Sequence, residues 1–362
     1  MTNSMKKPLL SLAVIAFEQE QYIREAVLGA FSQTYSPLQI ILSDDCSSDC
    51  TFEIMSDLAN AYHGPHQVVL NRNPSNLGIG GHINRIMELA KGELVMEAAG
   101  DDISLPNRAE ITWRTWEDSG RTVVAIQSAT IDIDENGIEL DEKIVRTQPG
   151  SQDDAWSQKP SIENYVKNLR PGVVGSAFSF SPSVYLTFGP LPEELIHEDT
   201  LIGLRALSLG GIAFIPIPLV KRRFHDTNIY SRRAELVTSL DAVIKQENRV
   251  KRNAENRKCL YAAFLDDMQK ALNLGLIHKE RWMDIEQECH RQLRLASLQS
   301  DFVDAPVWKK IGIAIASRSN GAESKVIQWM LPRLIPSGLF RRLKSTWNSA
   351  RSVCKFKNIK PC

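Results

Sequence analysis

Three acidic pairs in this 362-residue chain have the types and setting to do chemistry: Asp44-Asp45, Asp101-Asp102 and Glu198-Asp199. Adjacent carboxylates repel each other unless a cation joins them, and a hard divalent ion coordinated by oxygens is the usual answer. The first two pairs each follow an apolar run, Ile40-Ile41-Leu42 and Leu94-Val95-Met96, so each reads as the end of a buried strand. Pro106, shortly after Asp101-Asp102, suits the first turn of a following helix. The carboxyl lip of the strands is where ligands bind in open α/β sheets. A lone Asp-Asp is ordinarily a solvated turn that caps the next helix. Two such pairs at two strand ends fit that reading less well.

The elements that position these residues are legible as alternating patterns. Leu9 to Ala16 is almost wholly apolar, as expected of a strand buried on both faces of a parallel sheet. Ile23, Val27 and Phe31 then recur at helical spacing. Gln39–Ser43 reads as a second strand, Ile54, Leu58 and Ala61 as a helix, Gln67–Leu70 as a third strand, and Ile83, Ile86, Met87 and Ala90 as another helix. Strand-helix alternation at this spacing predicts βαβ units and a mostly parallel central sheet. Ile212–Pro216 and Leu219-Val220 read as further strands, and Ile131–Gly137 as a hairpin.

Composition bounds the class. Apolar content of 43% and charged content of 24% describe a globular chain that can bury a full core. Net charge is zero, but residues 330–362 carry +8 and the remainder −8. The six cysteines form no C-x-x-C pair, and no signal peptide is evident, which predicts reduced thiols and a cytoplasmic location. No apolar run approaches the roughly 18 residues that span a bilayer. No G-K-[ST] occurs, the segment Ala16–Glu20 after the first strand lacks Gly, and Gly78-Ile79-Gly80 fails the third glycine of a dinucleotide fingerprint.

An ordered set of motifs resembles family-2 glycosyltransferases. It runs through Ser11–Phe17, Gln33-Thr34-Tyr35, Ile40–Asp45 with Ser47-Ser48-Asp49 and Thr51, Asn76-Leu77-Gly78, Asn84, Ala90–Glu93 and Asp101-Asp102. The match covers residues 8–230 and is strongest over 8–110. The resemblance implies a Rossmann-like nucleotide-diphospho-sugar transferase (GT-A) domain in residues 1–234. A helical extension (235–305) and a basic amphipathic segment (306–362) would follow it. By the same resemblance a nucleotide-diphosphate sugar crosses the sheet's switch point, lined by Ile15, Phe17, Glu18, Asn76 and Gly78. Asp45 would accept a base N–H, and Asp101 would face the ribose and diphosphate. Asp102 would bind Mg²⁺ or Mn²⁺, with His225 approaching the metal and Arg223 offsetting diphosphate charge. Asp199, beside Glu198, would be the general base that takes the acceptor hydroxyl's proton. Acidic residues also suit a helix N-terminus, which is the structural alternative for Glu198-Asp199.

Three departures qualify the resemblance. Glu18 stands where the family usually has Asn, Cys46 and Cys50 where Gly is common, and Ala99 where many members carry the first acid of D-x-D. The implied reaction is inverting transfer of a single sugar to a glycan or lipid-linked acceptor in surface-polysaccharide synthesis. The alternative is a non-catalytic nucleotide-sugar-binding member of a polysaccharide assembly complex. A sugar-phosphate nucleotidyltransferase would need a Gly-rich basic loop where the acidic Phe17–Glu20 lies. His278–Trp282 reads as ordinary helix. Leu339, Phe340, Leu343, Trp347 and Ala350 share a helical face with basic neighbours, the pattern of an interfacial helix. An anionic membrane surface, at the inner face of the cytoplasmic membrane, is therefore an expected partner. Nucleic acid is not, and homo-oligomerisation is left open.

Overall fold

The structure, a computed structural model, describes residues 7–140, 161–168, 173–226, 228, 240–320 and 330. Two compact units divide the chain: Met1–His225 with Ala263–Ile285, and Asp226–Ala262 with Glu286–Cys362. Residues 263–285, expected from sequence to belong to the helical extension, thus group with the α/β unit. The interfacial helix expected around 339–350 lies outside the described residues.

The first unit opens with β1 (Leu10–Ala16), α1 (Ile23–Phe31), β2 (Leu38–Asp44), α2 (Thr51–Asn60), β3 (Gln67–Arg72), α3 (Gly78–Leu89) and β4 (Val95–Ala99). There follow β5 (Ile103–Ser104), α4 (Arg108–Asp118), β6 (Ala125–Ile133), α5 (Ile162–Asn168), β7 (Phe178–Phe180), α6 (Ser183–Phe188), α7 (Glu198–Leu209) and β8 (Ile212–Arg223). The eight strands form one sheet in the order β3-β2-β1-β4-β7-β6-β8-β5. Strands β1 to β4 are mutually parallel; β7 runs antiparallel to both β4 and β6, β6 and β8 are parallel, and β5 closes the edge antiparallel to β8.

Apolar patterning explains the central strands. Leu10, Leu12 and Val14 of β1 and Ile40 and Leu42 of β2 are fully buried and pack with Ile23 and Val27 of α1. Each such side chain contributes about 1.5–3 kcal/mol on burial. Because β1 pairs with β2 on one side and β4 on the other, the chain order reverses there. A crevice opens at the carboxyl ends of such strands. Asp44 ends β2, and Asp101-Asp102 follow β4 directly.

Two features were not evident from patterning. The two-residue β5 lies between Asp102 and α4, so Pro106 precedes the helix instead of opening it. The segment expected as two strands around Pro216 and Pro218 is the single strand β8, whose register against β6 slips at Ser128 and Ala129. Proline has no ladder donor, and a slip lets the strand carry it. The hairpin turn expected after Ile131 is present, with Asp134 accepting from Asn136 and Ile138 N–H.

Three long helices complete the described chain: α8 (Leu240–Asn273), α9 (Lys279–Asp304) and α10 (Val307–Ser319). The end of α8 belongs to the first unit, and Gly275 follows it with φ of +70°, its N–H bonded to the Leu272 carbonyl at 3.0 Å. Arg205 of α7 meets Asp267 of α8 as a two-point ion pair, with Nε–Oδ2 2.7 Å and Nη2–Oδ1 3.3 Å. Both side chains are buried, at 2% and 3% exposure, and Arg205 also donates to the Gly189 carbonyl. In the second unit Phe302, Ile313, Ala314 and Met330 form a small core.

Removing one member of a buried, hydrogen-bonded pair leaves an uncompensated charge, at a cost of about 3–5 kcal/mol. Asp267→Ala is expected to lose stability of that order in urea denaturation. A loss under about 1 kcal/mol would mean that the pair does not hold α8 to the α/β unit.

Candidate active site

The acidic residues converge at the carboxyl ends of β1, β2 and β4, and each is held differently. Asp45 is buried and already engaged: its Oδ1 accepts from Asn73 Nδ2 at 2.8 Å and Leu77 N–H at 2.9 Å, and its Oδ2 from Gly78 N–H at 3.0 Å. Expected to meet a nucleobase, it folds the 73–78 loop against the site. Asn76 caps that loop through Gly78 N–H, and Gly78 sits at φ +70°, where a side chain would be strained. Asp44 is fully buried and takes the Ser47 N–H and hydroxyl. Behind the pair, Ser43 Oγ and His82 Nε2 are 2.7 Å apart, and burial lowers the His82 pKa.

The glycines that mimic a phosphate loop have a packing role. A Cβ on Gly80 would lie 2.2 Å from the Pro192 carbonyl oxygen, and Gly80 N–H donates to the Leu195 carbonyl. They let α3 approach the segment that leads into Glu198-Asp199.

After β1, Ile15 is half-buried while Phe17 and Glu18 face outward, with Phe17 42% exposed. Glu18 has φ of +52° and is fixed by its N–H to Ser47 Oγ and by Ser48 Oγ to its carboxylate. Cys46 has φ of +64°, so the turn keeps a left-handed backbone without the glycine common in the family.

Asp101-Asp102 is organised by the end of β8. Arg223 N–H donates to Asp102 Oδ1 at 2.7 Å, Arg223 Nε to the Asp101 carbonyl at 3.0 Å, and His225 Nε2 lies 3.0 Å from Asp101 Oδ2. The Arg223 guanidinium also reaches the Asp134 and Glu135 carbonyls, pairs with Glu25 at 2.8 Å and lies over the Tyr22 ring, which stacks on His225. Its side chain is 1% exposed. The cation expected to offset diphosphate charge is instead committed to building the turn. Burial, and then the Asp101 charge, push the Asp102 carboxyl up to about 7, opposed by hydrogen bonds from Ser176 and the Arg223 N–H.

The last acidic pair begins α7. Asp199 Oδ1 accepts from Thr200 N–H at 2.6 Å and from its hydroxyl at 3.2 Å, and the Gly175 N–H also serves Asp199. Desolvation nevertheless raises the Asp199 carboxyl to about 6. Glu198 is raised further, by burial and by the Asp199 and Glu97 charges. Consecutive residues of one tight turn therefore face the two motifs, and Gly175 beside Asp199 and Ser176 beside Asp102 oppose the rise of their pKa. One position escaped sequence reading here: Glu97, a buried acid in the middle of β4, whose one signal is a carboxylate inside an apolar run.

Among the described residues, no three carboxylate, imidazole or thiol side chains form a ready-made metal cage. A diphosphate-bridging Mg²⁺ needs only one or two protein carboxylates, the rest coming from phosphates and water. Asp102, and Asp101 and His225 beside it, are the described residues that could supply such ligands.

The Arg223 strut yields a graded prediction. Arg223→Leu strips donors from the carbonyl of the buried Asp101, worth about 1–3 kcal/mol when left unpaired, and from the more exposed Asp134 and Glu135 carbonyls. Glu25→Gln removes only an ion pair whose acid is 53% exposed, worth under about 1 kcal/mol. Chemical denaturation should rank them in that order. Equal losses would mean that the Glu25 pair, not the carbonyl contacts, carries the strut.

Residues 11–185 match the family model of Glycosyl transferase family 2. The putative glycosyltransferase EpsH of Bacillus subtilis is 28% identical over 242 residues, which cover 63% of this chain and 64% of EpsH. An uncharacterised glycosyltransferase of Methanocaldococcus jannaschii is 29% identical over 139 residues, 38% of this chain and 47% of its own. The chain thus spans only part of the curated relatives it matches. Among solved structures, S. aureus TarS 1-349 superposes with a TM-score of 0.52 at 16% identity, covering 94% of this chain and 88% of its own. Its complex with UDP-GlcNAc gives 0.50 at 15% identity, covering 98% and 93%. At such identities the likeness is one of fold. Residues 11–185 thus match family 2 glycosyltransferases in sequence, and the chain shares the GT-A-type α/β fold of solved glycosyltransferases.

Proposed function

We propose that this chain is an inverting glycosyltransferase that moves one sugar from a nucleotide-diphosphate sugar to a hydroxyl of a glycan or lipid-linked acceptor in surface-polysaccharide synthesis. The observation that carries the reading is the Gly175-Ser176 turn. Gly175 packs against Glu198 and Asp199, and Ser176 beside it faces Asp102, so the candidate base and the candidate metal carboxylate border one turn at the sheet's switch point. The TarS complexes with UDP and UDP-GlcNAc support a nucleotide-sugar donor, with uridine the first base to try.

In this reading Asp199 takes the proton of the acceptor hydroxyl as its oxygen bonds to the anomeric carbon. The bond from that carbon to the diphosphate breaks on the opposite face, and the nucleoside diphosphate leaves with the electron pair. One displacement inverts the anomeric centre. Asp199 suits the role because it is half-buried at the start of α7, its carboxylate is aimed by three donors, and its raised pKa makes it a stronger base. Asp102, with His225 beside it, would hold Mg²⁺ or Mn²⁺. Such a cation supplies Lewis-acid stabilisation of the charge that builds on the leaving diphosphate. Asp101 and Phe17 border the donor crevice, and Arg223 serves it indirectly by fixing Asp101-Asp102.

An anionic membrane surface, on the cytoplasmic face, is the second partner proposed. No described helix is long and apolar enough to cross a membrane. Within the second unit, α10 leaves Trp308, Ile311 and Ile315 exposed at 76%, 48% and 66%, flanked by Lys309 and Arg318. The basic stretch 330–362 follows in sequence.

Asp199→Asn should lower kcat by about 10²–10⁴ while leaving the thermal shift by a UDP-sugar and Mn²⁺ intact. Because a base works deprotonated and its pKa lies near 6, wild-type kcat/KM should fall about tenfold per pH unit below that value. Activity within tenfold of wild type in the variant would remove Asp199 from the mechanism. Asp102→Ala should abolish the Mn²⁺-dependent part of the shift. Binding to anionic liposomes should weaken with salt and with truncation at Pro336, and no binding to any liposome would end the membrane proposal.

A further inference from the structure

Glu97 is an acid that the proposed reaction does not use, in a place where an acid is costly. It occupies the middle of β4, between Met96 and Ala98, is 2% exposed, and its Oε1 has no hydrogen-bond partner among the described residues. Its surroundings are crowded with other acids. A Cβ built on Gly175 would lie 2.7 Å from Glu198 Oε1, 3.4 Å from Glu97 Oε2 and 3.9 Å from Asp199 Cβ. A side chain at 175 would collide with them, so the turn needs a glycine there, and Glu97 Oε2, Glu198 Oε1 and Asp199 all border the same point of the turn.

The groups that face Glu97 are few. From α4 comes Arg108, but its guanidinium donates to the Glu97 and Phe178 carbonyls and the Ser104 hydroxyl, not to the Glu97 carboxyl. From α5 comes the buried Tyr165, whose hydroxyl also lacks a partner and feels the Asp199 charge. From α7 come Glu198 and Asp199. Asp199 accepts from both the N–H and the hydroxyl of Thr200, whereas Glu198 is served only by N–H groups of its own turn and remains raised well above the usual carboxylate range. Carboxylates this close cannot all be ionised in a desolvated site, so the charge settles on the one best served.

We propose that Glu97 is a positioning residue of the base, working as an uncharged carboxylic acid whose O–H donates to the Glu198–Asp199 pair and holds the negative charge of the group on Asp199. This rests on the reading of Asp199 as base. Burial and the Asp199 charge both favour the protonated form of Glu97, and burial favours that of Glu198. A buried acid kept neutral so that it can donate is physically reasonable in such surroundings. Glu97 never meets the substrate in this account. It acts through Asp199, and no bond to it forms or breaks.

The test compares Glu97→Gln, which keeps shape, neutrality and an N–H donor, with Glu97→Leu, which keeps bulk and loses the donor. The Gln variant should retain kcat within about threefold. The Leu variant should lose about tenfold or more in kcat, the worth of one hydrogen bond to a charged group, with donor KM unchanged. Loss of a donor disfavours the ionised base, so the acid limb of kcat should move to higher pH in Leu and stay in place in Gln. Should Leu fail to fold, the isosteric Gln variant still decides by infrared difference: wild type at neutral pH should show a protonated-carboxyl C=O band that Gln lacks. Absence of that band, a Gln variant as impaired as Leu, or a Leu variant with wild-type kcat and pH profile would each overturn the proposal. Asp199→Asn separates the two levels. If it keeps activity, the base reading falls and takes Glu97 with it; if it is inactive while Leu is normal, only the role of Glu97 falls.

Discussion

Mutual repulsion among carboxylates is the constraint that the first unit is built to manage. Asp44, Asp45, Asp101, Asp102, Glu198 and Asp199 gather around one sheet end, with Glu97 behind them. Each tolerates its neighbours because the chain aims donors at it. Loop 73–78 serves Asp45, Ser47 serves Asp44, the β8 end serves Asp101 and Asp102, and the Gly175 and Thr200 N–H groups serve Asp199. Most of these donors are neutral N–H or O–H groups. A neutral donor stabilises a carboxylate without cancelling its charge, so the crevice keeps an electrostatic demand that a divalent cation and a diphosphate together can meet.

That solution explains the route of the chain. Donors for a carboxylate at the end of β4 must come from elements on either side of the switch point, and these are distant in sequence. Arg223 reaches Asp101-Asp102 from 121 and 122 residues away, and Ser176 does so from the turn before β7. The antiparallel β7 brings that turn across the end of β4, where it meets the start of α7. The long-range donors to Asp101 and Asp102 therefore come from the mixed half of the sheet, while Asp44 and Asp45 and their shorter-range donors lie in its parallel half.

This division also separates what was legible in the sequence from what was not. The parallel half is written in local patterns: unbroken apolar runs for β1 and β2, helical stripes for α1 and α3, and acids directly after the strands. The donors carry no local signature. A main-chain N–H is the same at every residue, and only the fold decides that those of Gly175, Leu77 and Gly78 face carboxylates. Arg223 was expected at the diphosphate because an arginine near a phosphate site is the simplest use of its charge. Its burial against the Asp101, Asp134 and Glu135 carbonyls follows from the long β8, which the prolines disguised as two short strands. The R-x-H spacing was visible; its task depended on where the strand ended.

Strand alternation bears on the missing acid of the D-x-D pattern. Residues two apart on a strand point to the same face, so Glu97 and Ala99 lie on one side of β4, paired with Ala13 and Ile15 of β1. Where relatives commonly put a carboxylate at the rim, this chain has a methyl group, and it carries a carboxyl one step deeper on the same face. An acid at Ala99 would add charge beside Asp101 and Asp102, where burial already makes ionisation costly. Moved inward, a carboxyl leaves the cation's rim and joins the surroundings of Asp199. In the proposed mechanism, the departure would leave Asp102 as the principal carboxylate for a metal and give Asp199 a neighbour that can hold a proton.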